Sequence, residues 1–324
     1  MSAEGPKPMN DLFDVLTIGR IGVDIYPTEP GSLVDVKVFE KYLGGSPTNV
    51  AVAAARLGER SAVISRTGPD PFGKFIHVAL RGYGVDDRYV TDVEGFQTPV
   101  TFCEIIGPDS FPLYFYREPK APDLEIYSEE LDREAIVAAR LFWATVSGLS
   151  VEPSRSSTLE ALAVRARRHP TVLDLDWRPT FWKSPDDARA LTREALGLVT
   201  VAIGNLSEVE MAVGTSDPDV GADRLLDLGL ELVIVKMGPD GVLGKTRDER
   251  VEVAPMPIDV VNGLGAGDGF GGAFCHALLA GWSLERILRF ANAAGAIVAS
   301  RLACSEAMPT IVEIDELLKG KTNA

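Results

Sequence analysis

The chain has 324 residues, of which 46% are hydrophobic and 24% are charged, and its formal net charge at pH 7 is −15. These fractions are typical of an ordinary globular protein, and the length suffices for one large domain with an insertion or for two smaller ones. The acidic balance argues against nucleic acids and anionic membrane surfaces as partners, because both carry negative charge themselves.

The first residues, MSAEGPKPMNDLFD, are polar and lack the apolar core of a signal peptide, so they are predicted to be a frayed leader. No uninterrupted apolar run approaches the roughly 18 residues of a membrane helix. Cys103, Cys275 and Cys304 show no metal-ligand spacing, which predicts buried thiols in a reducing compartment. We therefore expect a cytoplasmic protein without a membrane partner.

Short apolar runs alternate with amphipathic segments along most of the chain. The runs predict buried strands, at 14–19, 61–68, 139–148, 171–176, 198–205 and 230–238. The segments between them, such as 153–169 and 217–230, have the apolar spacing of helices. Strands separated by helices predict an α/β fold, in which a mostly parallel central sheet is covered by helices on both faces.

The first predicted strand is followed by Asp24 and then by a well-delimited helix. Asp24 comes at the carboxyl edge of the sheet, where α/β proteins bind ligands. In LGGSPTNVAVAAARLG (43–58), Ser46 is a suitable N-cap, Pro47 suits the first helical position and Gly58 ends the helix. A well-capped packing helix explains this segment except for its paired glycines and its asparagine.

Residues 25–43 and 97–118 break this rhythm, because apolar and polar residues alternate in them. TPVTFCEII and FPLYFYRE flank the turn GPDS, which predicts an antiparallel hairpin. We expect the two regions to form a small β lid on the α/β body. No repeat or linker divides the chain, so residues 10–320 are expected to form one domain into which the lid segments are inserted.

Two arginines could bind an anionic group. Arg178 lies in LDLDWRPTFW (173–182), and its guanidinium could pair bidentately with a carboxylate. Arg117, at the end of the lid in YFYREPKAPD, is a second basic candidate. The alternatives are that Arg178 pairs with Asp174 or Asp176, and that an arginine here is only a surface residue.

Two further strand ends carry polar or glycine-rich turns. GNLSEVEMAVG (204–214) places Asn205 and Glu208 directly after a strand, and a helix N-cap with an acidic first turn explains this pair as well as a ligand site does. VKMGPDGV (235–242) is a predicted strand followed by a turn.

The stretch VNGLGAGDGFGGAF (261–274) contains a dinucleotide-binding pattern. Gly267, Gly269 and Gly272 satisfy G-x-G-x-x-G, with Glu285 near the place of a ribose-binding acid. A lone match is weak, and a dinucleotide fold places this fingerprint after its first strand, with several βα units to follow. Here few residues follow and they are predicted to be helical, which disfavours a dehydrogenase.

A phosphate site explains the same stretch better. From Ala266 to Gly281 the apolar residues recur at helical spacing, so GLGAG lies at a helix N-terminus. Free backbone N–H groups and the positive end of the helix dipole bind anions there. Asp268 lies in the first turn, where the dipole favours its ionised form, and it could accept a proton from an attacking hydroxyl. The alternative is an acid that only stabilises the helix start.

GLGAGDGF resembles the C-terminal signature of the ribokinase-like (PfkB) sugar kinases, whose usual form is D-T-x-G-A-G-D. The resemblance implies a ribokinase-like fold. It also implies that Gly265, Ala266 and Gly267 form an anion hole for the transferred phosphoryl group and that Asp268 is the catalytic base.

The N-terminal signature of that family is a glycine pair followed by asparagine and an alanine-rich helix, and LGGSPTNVAVAAARLG resembles it. The resemblance implies that Gly44 and Gly45 let the backbone approach a sugar and that Asn49 offers the sugar a donor and an acceptor. It further implies that Asp24 holds sugar hydroxyls.

Two segments bear on metal ions. The N-x-x-E pair formed by Asn205 and Glu208 resembles the one that lies near magnesium and the phosphates in the family, where the glutamate acts through water. Mg²⁺ does prefer few direct carboxylates and many waters. Asn262 and Gly263 stand where the family has Asp and Thr, positions that often help to bind a monovalent cation. The resemblance therefore leaves activation by K⁺ open.

Two segments resemble the nucleotide-binding segments of the family. The turn after the strand in VKMGPDGV implies a nucleotide pocket shaped by Lys236, Gly238 and Gly241. ANAAGAIVASRLACSEAMPT (291–310) resembles the adenine-side segment, in which Asn292 is the polar candidate. Together the ordered matches extend over nearly the whole chain.

DLDWRP followed by Trp, FYRE and CSEAMPT most resemble the 5-dehydro-2-deoxygluconokinase branch of the family, enzymes of myo-inositol breakdown. Asp176 stands where 2-dehydro-3-deoxygluconate kinases have asparagine, which favours the inositol branch. The resemblance implies an ATP- and Mg²⁺-dependent kinase for the terminal C6 hydroxyl of a keto-deoxy sugar acid. The alternatives are a 2-dehydro-3-deoxygluconokinase, a ribokinase or fructokinase, and a catalytically silent sugar-binding regulator. Lids of this family often pair, which implies a homodimer.

Overall fold

The computed structural model of the chain describes residues 12–107 and 110–320, so residues 1–11 of the predicted leader and the middle of the predicted GPDS turn lie outside it. Phe13 and Asp14, at the end of the predicted leader, are buried. The strands are β1 (Val15–Ile18), β2 (Gly22–Pro27), β3 (Phe39–Gly44), β4 (Ser61–Thr67), β5 (Val85–Asp86), β6 (Val90–Asp92), β7 (Val100–Cys103), β8 (Leu113–Tyr116), β9 (Leu141–Thr145), β10 (Thr171–Asp174), β11 (Val201–Asn205), β12 (Leu232–Lys236), β13 (Val242–Lys245) and β14 (Arg250–Val253). The α-helices are α1 (Ser46–Arg56), α2 (Pro71–Gly82), α3 (Arg133–Ala138), α4 (Ser154–Arg165), α5 (Pro185–Leu196), α6 (Leu206–Val213), α7 (Pro218–Asp227), α8 (Ala266–Leu279), α9 (Leu284–Ala299) and α10 (Ile311–Gly320).

Ten of the described strands form a large sheet in the order β14-β13-β12-β11-β10-β9-β1-β4-β5, with β6 also paired to β4. The strands from β12 to β5 in that order run parallel, whereas β13 and β14 extend one edge in antiparallel pairing. All six strands that the sequence predicted belong to this sheet. The prediction of a mostly parallel central sheet is therefore confirmed.

Helices bury both faces of the large sheet. One face packs residues such as Phe142 and Leu173 against α4, α5, α6 and α7. The other packs residues such as Trp143 and Val172 against α1, α8 and α9. Neighbouring residues of β9 thus face opposite layers, which is the two-residue period of a strand. Burial on both faces explains why these strands are nearly continuous apolar runs in the sequence.

A second, smaller sheet has the order β3-β2-β7-β8. β7 and β8 pair antiparallel, from Val100 opposite Tyr116 to Cys103 opposite Leu113, which confirms the predicted hairpin. Alternate residues of β2 and β8 line a cavity between this sheet and the α/β body. The small sheet therefore covers one side of that cavity.

The carboxyl ends of the parallel strands meet at one edge of the large sheet. Arg20 follows β1, Asp174 ends β10, Asn205 ends β11 and Lys236 ends β12. Polar groups that are distant in the chain come together there, as in other open α/β sheets. Among residues 12–107 and 110–320, no helix combines the length and the apolar composition that crossing a bilayer requires.

Candidate active site

Two cavities meet at the N-terminus of α8. The first is lined by Gly265 and Asp268 together with residues of the small sheet. The second is lined by Ala266 and Gly267 together with residues at the ends of β11 and β12. One helical turn therefore presents a carboxylate to one compartment and backbone to the other.

The first turn of α8 has unused backbone donors. Gly265 precedes the helix with a φ of 80°, a left-handed conformation that glycine adopts without strain. The first helical hydrogen bond runs from the N–H of Gly269 to the carbonyl of Gly265, at 2.9 Å. The N–H groups of Ala266, Gly267 and Asp268 precede that bond and have no acceptor within the helix. Such unpaired donors at the positive end of a helix are able to bind an anion, here on the wall between the two cavities.

The later glycines of α8 serve helix packing. A Cβ atom on Gly272 would lie 2.3 Å from the Cβ of Ala53 in α1, and one on Gly269 would lie 2.6 Å from Cγ2 of Val298 in α9. Both distances are far shorter than van der Waals contact, so only glycine fits between these neighbours. The G-x-G-x-x-G match therefore reflects the wedging of α8 between α1 and α9.

Two side chains of α1 hold the carboxylate of Asp268. Ser46 Oγ donates to Oδ1 at 2.7 Å, and Asn49 Nδ2 donates to Oδ2 at 2.8 Å. Asn49 Oδ1 accepts in turn from Ser305 Oγ at 2.6 Å, which fixes the orientation of the amide. Each carboxylate oxygen is thus anchored, and its other lone pairs are available to a hydroxyl group in the first cavity.

The prediction that Ser46 caps α1 is wrong. The residue before the helix is Gly45, with a φ of 104°, and the hydroxyl of Ser46 is used by Asp268. Pro47 consequently occupies the second helical position, where its missing N–H would have had no helical acceptor. Gly58, with a φ of 92°, follows the end of the helix as predicted.

Burial raises the pKa of Asp268 to about 6, against the hydrogen bonds from Asn49 and Ser46, which lower it. The carboxylates of Asp176 and Asp174 raise the pKa further. The sequence led us to expect that the helix dipole would favour the ionised form, but burial acts in the opposite direction and is stronger. A carboxyl group with a pKa near 6 is still mostly ionised at neutral pH, and it is a better base than an ordinary aspartate.

Asp24 and the paired glycines lie at one wall of the first cavity. Burial raises the pKa of Asp24 to about 7, while Arg20 opposes the shift and Asp268 adds to it. Gly45 lines the cavity as predicted. Gly44 has a different role, because a Cβ atom there would lie 2.3 Å from the Asp24 carboxyl group. The missing side chain at Gly44 makes room for Asp24 and not for a sugar.

Three guanidinium groups converge on the first cavity, those of Arg20, Arg117 and Arg178. Arg117 pairs with the buried carboxylate of Asp123 through both of its Nη atoms. Arg20 Nη2 donates to Asp176 Oδ2 at 2.7 Å, and Arg178 Nη2 lies 2.8 Å from Asp176 Oδ1. The pairing of Arg178 with Asp176 is thus realised, and the arginine still lines the cavity.

The two aspartates after β10 differ in charge state. Burial alone would raise the pKa of Asp176, but Arg178 and Arg20 outweigh it and hold that pKa below the usual range. Burial raises the pKa of Asp174 to about 7, because the positive charge of Lys236 offsets the effect of burial only in part. Asp176 is therefore the fixed negative charge of this part of the site.

Sequence analysis did not identify three residues of the site: Arg20, Ser147 and Ser305. Arg20 follows β1 and Ser147 follows β9, so their place after a parallel strand was the available signal. Ser305 belongs to CSEAMPT, which was assigned to the adenine side. Its hydroxyl instead lies within hydrogen-bond distance of Asn49 Oδ1 and of the carbonyl of Leu43, and its single proton is shared between them, beside the first cavity.

The second cavity contains the residues that were assigned to the nucleotide. It is lined by Asn205, Lys236, Gly238, Gly241 and Asn292, beside Ala266 and Gly267. Gly238 and Gly241 have φ values of 60° and 95°, which the tight turn after β12 requires. A Cβ atom on Gly267 would lie 3.2 Å from Lys236 Nζ, so this ammonium group lies against the start of α8. Burial disfavours the charged form, but carboxylates, Asp174 foremost, raise the pKa of Lys236.

Asn205 and Glu208 form a capping box at the start of α6. Asn205 Oδ1 accepts from the N–H of Glu208 at 3.0 Å, and Glu208 Oε2 accepts from the N–H of Asn205 at 2.7 Å. Within residues 12–107 and 110–320, no three His, Cys, Asp or Glu side chains cluster closely enough to hold a metal ion by themselves. A Mg²⁺ ion here would take most of its ligands from water and phosphate, which suits its chemistry.

The loop before α8 is held by neutral hydrogen bonds. Asn262 is buried, its Nδ2 donates to the carbonyl of Leu302 at 2.6 Å, and its Oδ1 accepts from the N–H of Leu264 at 3.0 Å. A Cβ atom on Gly263 would lie 3.2 Å from the ring of Phe111. Both polar atoms of the Asn262 amide thus have a partner within the protein.

Cys103, Cys275 and Cys304 are buried free thiols, as the sequence predicted. Cys304 packs against Gly265 at the start of α8 and shares a 2.8 Å hydrogen bond with the hydroxyl of Tyr26. Burial raises the pKa of the Cys304 thiol, which keeps it protonated and a poor nucleophile.

Comparison with known proteins gives a consistent result. A family model described as the pfkB family carbohydrate kinase matches residues 13–311. A Clostridium perfringens protein named 5-dehydro-2-deoxygluconokinase is 32% identical over 317 residues, which cover 95% of this chain and 93% of the relative. A solved Escherichia coli structure in complex with ATP and Mg²⁺ has a TM-score of 0.87 at 25% identity, over 95% of this chain and 100% of that one. A fructokinase double mutant from Vibrio cholerae O395, in a form with fructose, ADP and potassium ion bound, has a TM-score of 0.83 at 26% identity, over 95% of this chain and 99% of that one.

Proposed function

Because the chain belongs to the pfkB family of carbohydrate kinases, we propose that it transfers the γ-phosphoryl group of ATP to the terminal C6 hydroxyl of 5-dehydro-2-deoxy-D-gluconate, a keto-deoxy sugar acid of myo-inositol degradation. Family membership makes the chain a phosphotransferase with an alcohol group as acceptor. Relatives at 32% and 33% identity that carry the name 5-dehydro-2-deoxygluconokinase support this choice of sugar acid.

The observation that carries the proposal is the position of Asp268. Its carboxylate faces the cavity beneath the small sheet, while the backbone of Ala266 and Gly267, one turn of the same helix, faces the other cavity. A hydroxyl in the first cavity and a phosphate in the second would therefore meet at the start of α8. This arrangement fits transfer of a phosphoryl group between two separately bound substrates.

Asp268 is assigned the role of general base. It takes the proton of the C6 hydroxyl as that oxygen attacks the γ-phosphorus and the bond from phosphorus to the bridging oxygen of ADP breaks. Ser46 and Asn49 orient the carboxylate through both of its oxygens. The pKa of about 6 suits this role, because the group is ionised at neutral pH and remains basic.

The charge of the transferred phosphoryl group is stabilised from the other side. The N–H groups of Ala266 and Gly267 donate to its oxygens at the positive end of the α8 dipole. Lys236, whose ammonium group lies against Gly267, adds a positive charge at the same place. Phosphoryl transfer requires mainly such positioning and electrostatic stabilisation.

The nucleotide side is completed by the remaining residues of the second cavity. Gly238 and Gly241 shape the turn beside the phosphates, and Asn292 lies where the base of ATP would be bound. When bound with ATP, Mg²⁺ would neutralise phosphate charge, and Asn205 and Glu208 would hold it through water molecules. The solved Escherichia coli structure is a complex with ATP and Mg²⁺.

The first cavity suits a sugar acid. Asp24 accepts hydrogen bonds from sugar hydroxyls, and Gly45 allows close approach of the backbone. Arg117 and Arg178 offer guanidinium groups to the carboxylate, which lies at the opposite end of the sugar from the reacting C6 hydroxyl. A neutral sugar would offer these two groups no anion beyond their protein partners, Asp123 and Asp176.

The test is ADP release with Mg-ATP across 5-dehydro-2-deoxygluconate, 2-dehydro-3-deoxygluconate, ribose and fructose. The highest kcat/KM is expected for the first of these acids. Highest activity with 2-dehydro-3-deoxygluconate would transfer the assignment to that acid. Highest activity with ribose or fructose would overturn the sugar-acid proposal, and no turnover with any of them would indicate a sugar-binding regulator.

We also propose that residues 10–320 act as one kinase unit, that the small sheet is its lid, and that two lids pair in a homodimer. On the outer face of the small sheet, Phe102 packs edge-to-face against Phe39 and Tyr116, at ring distances of 6.0 and 5.5 Å. Tyr116 is 66% exposed, which leaves an aromatic surface for a second copy. Sedimentation analysis is expected to show a dimer that Tyr116→Lys weakens, and a monomeric wild-type chain would contradict this.

A further inference from the structure

Arg20 is held at the inner end of the first cavity. Its side chain is 8% exposed, Nη2 donates to Asp176 Oδ2 at 2.7 Å, and Nε donates to Ser147 Oγ at 3.0 Å. Ser147 Oγ lies 3.0 Å from the same Asp176 oxygen, which closes a small network. The guanidinium is therefore fixed in position while it still lines the cavity.

The direct ion pairs of the three arginines differ. Arg117 has a carboxylate of its own, that of Asp123. Arg20 and Arg178 share a single one, because Asp176 receives Arg20 on Oδ2 and Arg178 on Oδ1. One carboxylate is thus in direct contact with two guanidinium groups, of which Arg20 is buried and Arg178 is 38% exposed, so neither arginine has this carboxylate to itself.

Unused donors remain on both of these arginines. None of the hydrogen bonds among residues 12–107 and 110–320 involves Nη1 of Arg20. The Nε atom of Arg178 is buried and has no hydrogen-bond partner within the same ranges. A carboxylate with two oxygens would supply acceptors for both of these donors.

Aromatic rings shield Arg20 from water. Its guanidinium carbon lies 5.9 Å from the ring centre of Phe115, on β8 of the small sheet, and 5.4 Å from that of Phe181. The two rings are themselves in edge-to-face contact at 5.0 Å. Removal of water strengthens a charge-assisted hydrogen bond, so an anion bound to Arg20 beneath these rings would be held tightly.

We propose that Arg20 is a substrate-binding residue that, together with Arg178, holds the carboxylate of the sugar acid, and that Asp176 and Ser147 are the residues that position the two guanidinium groups. This inference rests on the proposed function, because it requires an acidic substrate. It makes Arg20 a determinant of specificity for acids over neutral sugars of the same length.

Arg20→Lys tests the proposal, since it keeps the charge but loses the planar fork. KM is measured for the sugar acid, and the inhibition constant is measured for a neutral analogue in which a primary alcohol replaces the carboxylate. The KM for the acid is expected to rise roughly 10- to 100-fold, the effect of losing a charge-assisted hydrogen bond. The inhibition constant of the neutral analogue is expected to stay nearly unchanged. An equal effect on both compounds, or on neither, would overturn the role of Arg20.

Arg66→Lys is the matched control for burying a lysine. Arg66 has a side chain that is 7% exposed and pairs with Glu130, and it lines neither cavity of the site. The Arg66→Lys variant is expected to have a changed melting temperature and an unchanged preference for the acid over the neutral analogue. If Arg20→Lys does not fold, Ser147→Ala decides, because it loosens Arg20 without removing it. A selective rise in KM for the acid would support the proposal, and an unselective one would overturn it.

The same experiment separates this inference from the proposed function. A wild-type enzyme that phosphorylates only neutral sugars would overturn both before any variant is made. A wild-type enzyme that prefers the acid, combined with an unselective Arg20→Lys variant, would overturn the role of Arg20 and leave the proposed function standing.

Discussion

Ser46 and Asp268 lie 222 positions apart in the chain and are joined by a 2.7 Å hydrogen bond from the Ser46 hydroxyl to the carboxylate. The bond connects the first turn of α1 with the first turn of α8. Asn49, one turn further along α1, holds the second carboxylate oxygen at 2.8 Å. The proposed base is thus oriented by a helix that also lines the first cavity.

Asp268→Asn is expected to lower kcat by roughly 10²- to 10⁴-fold, the usual contribution of a general base. The amide keeps the shape of the side chain but cannot take the proton. The dissociation constant for ATP, measured by calorimetry, is expected to change little because the backbone donors of α8 remain. Asp217→Asn is the matched control, since Asp217 only caps α7 and asparagine caps equally well. Near-normal turnover in Asp268→Asn would remove the base assignment.

The acid limb of the pH profile should report Asp268. Its pKa of about 6 means that kcat falls as the pH drops through that value, because the protonated carboxyl group cannot act as a base. The hydrogen bonds from Asn49 and Ser46 lower this pKa, so Asn49→Ala and Ser46→Ala are expected to move the limb to higher pH. Initial rates at saturating substrate between pH 5 and pH 8 measure the shift. A limb that stays in place in both variants would assign it to another group.

Glu208→Gln separates the capping role of this residue from its role with magnesium. The glutamine oxygen can still accept the N–H of Asn205, so the melting temperature is expected to stay close to that of the wild type. Loss of the negative charge is expected to raise the Mg²⁺ concentration for half-maximal rate roughly 10- to 100-fold, as for other indirect metal contacts. An unchanged Mg²⁺ dependence would show that Glu208 serves the helix cap alone.

Gly272→Ala is expected to destabilise the protein by about 1–3 kcal/mol or more, because the new methyl group would overlap Ala53 of α1. Gly82→Ala is the matched control. It also lies in a helix, but nothing lies within 4 Å of the added atom, so alanine should be neutral or slightly stabilising. Thermal denaturation of the two variants measures the difference. Equal melting temperatures would contradict the close packing of α1 and α8.

Exchange of K⁺ for Na⁺ is expected to leave kcat/KM unchanged. Asn262 is uncharged, and its amide oxygen already accepts from the N–H of Leu264, so it offers a cation no negative charge and only one remaining lone pair. Rates in KCl and NaCl at equal ionic strength provide the comparison. A clear gain in KCl alone would indicate that the loop before α8 binds K⁺ in spite of Asn262.

The sequence alone predicted the placement of those candidate site residues that lie within one continuous segment. Gly265, Ala266, Gly267 and Asp268 belong to a single helical turn, so their composition and order sufficed. The six central strands were also predictable, because burial on both faces makes them apolar throughout.

Features that depend on contacts between distant segments could not be predicted. Arg20 and Asp176 are 156 positions apart in the chain. They meet because β1 and β10, which they follow, are separated in the sheet by β9 alone. The hydroxyl of Ser46 could equally have capped α1, and only the closeness of α8 decides that it binds Asp268. In the sequence, Gly44 looks like a glycine that makes room for a ligand. In the structure, the space beside it is occupied by the side chain of Asp24.

The tight contact between α1 and α8 has a consequence for the order of events in a catalytic cycle. The base and both of its hydrogen-bond donors belong to two helices that are locked together by Gly272, outside the small sheet. Movement of that sheet would leave the three groups unchanged relative to one another. The proposed base would therefore be in place before any sugar binds, and a water molecule in the first cavity would meet the same carboxylate. Restraint of idle ATP consumption must then come from how the sugar fills the cavity and positions its hydroxyl, and not from late assembly of the base.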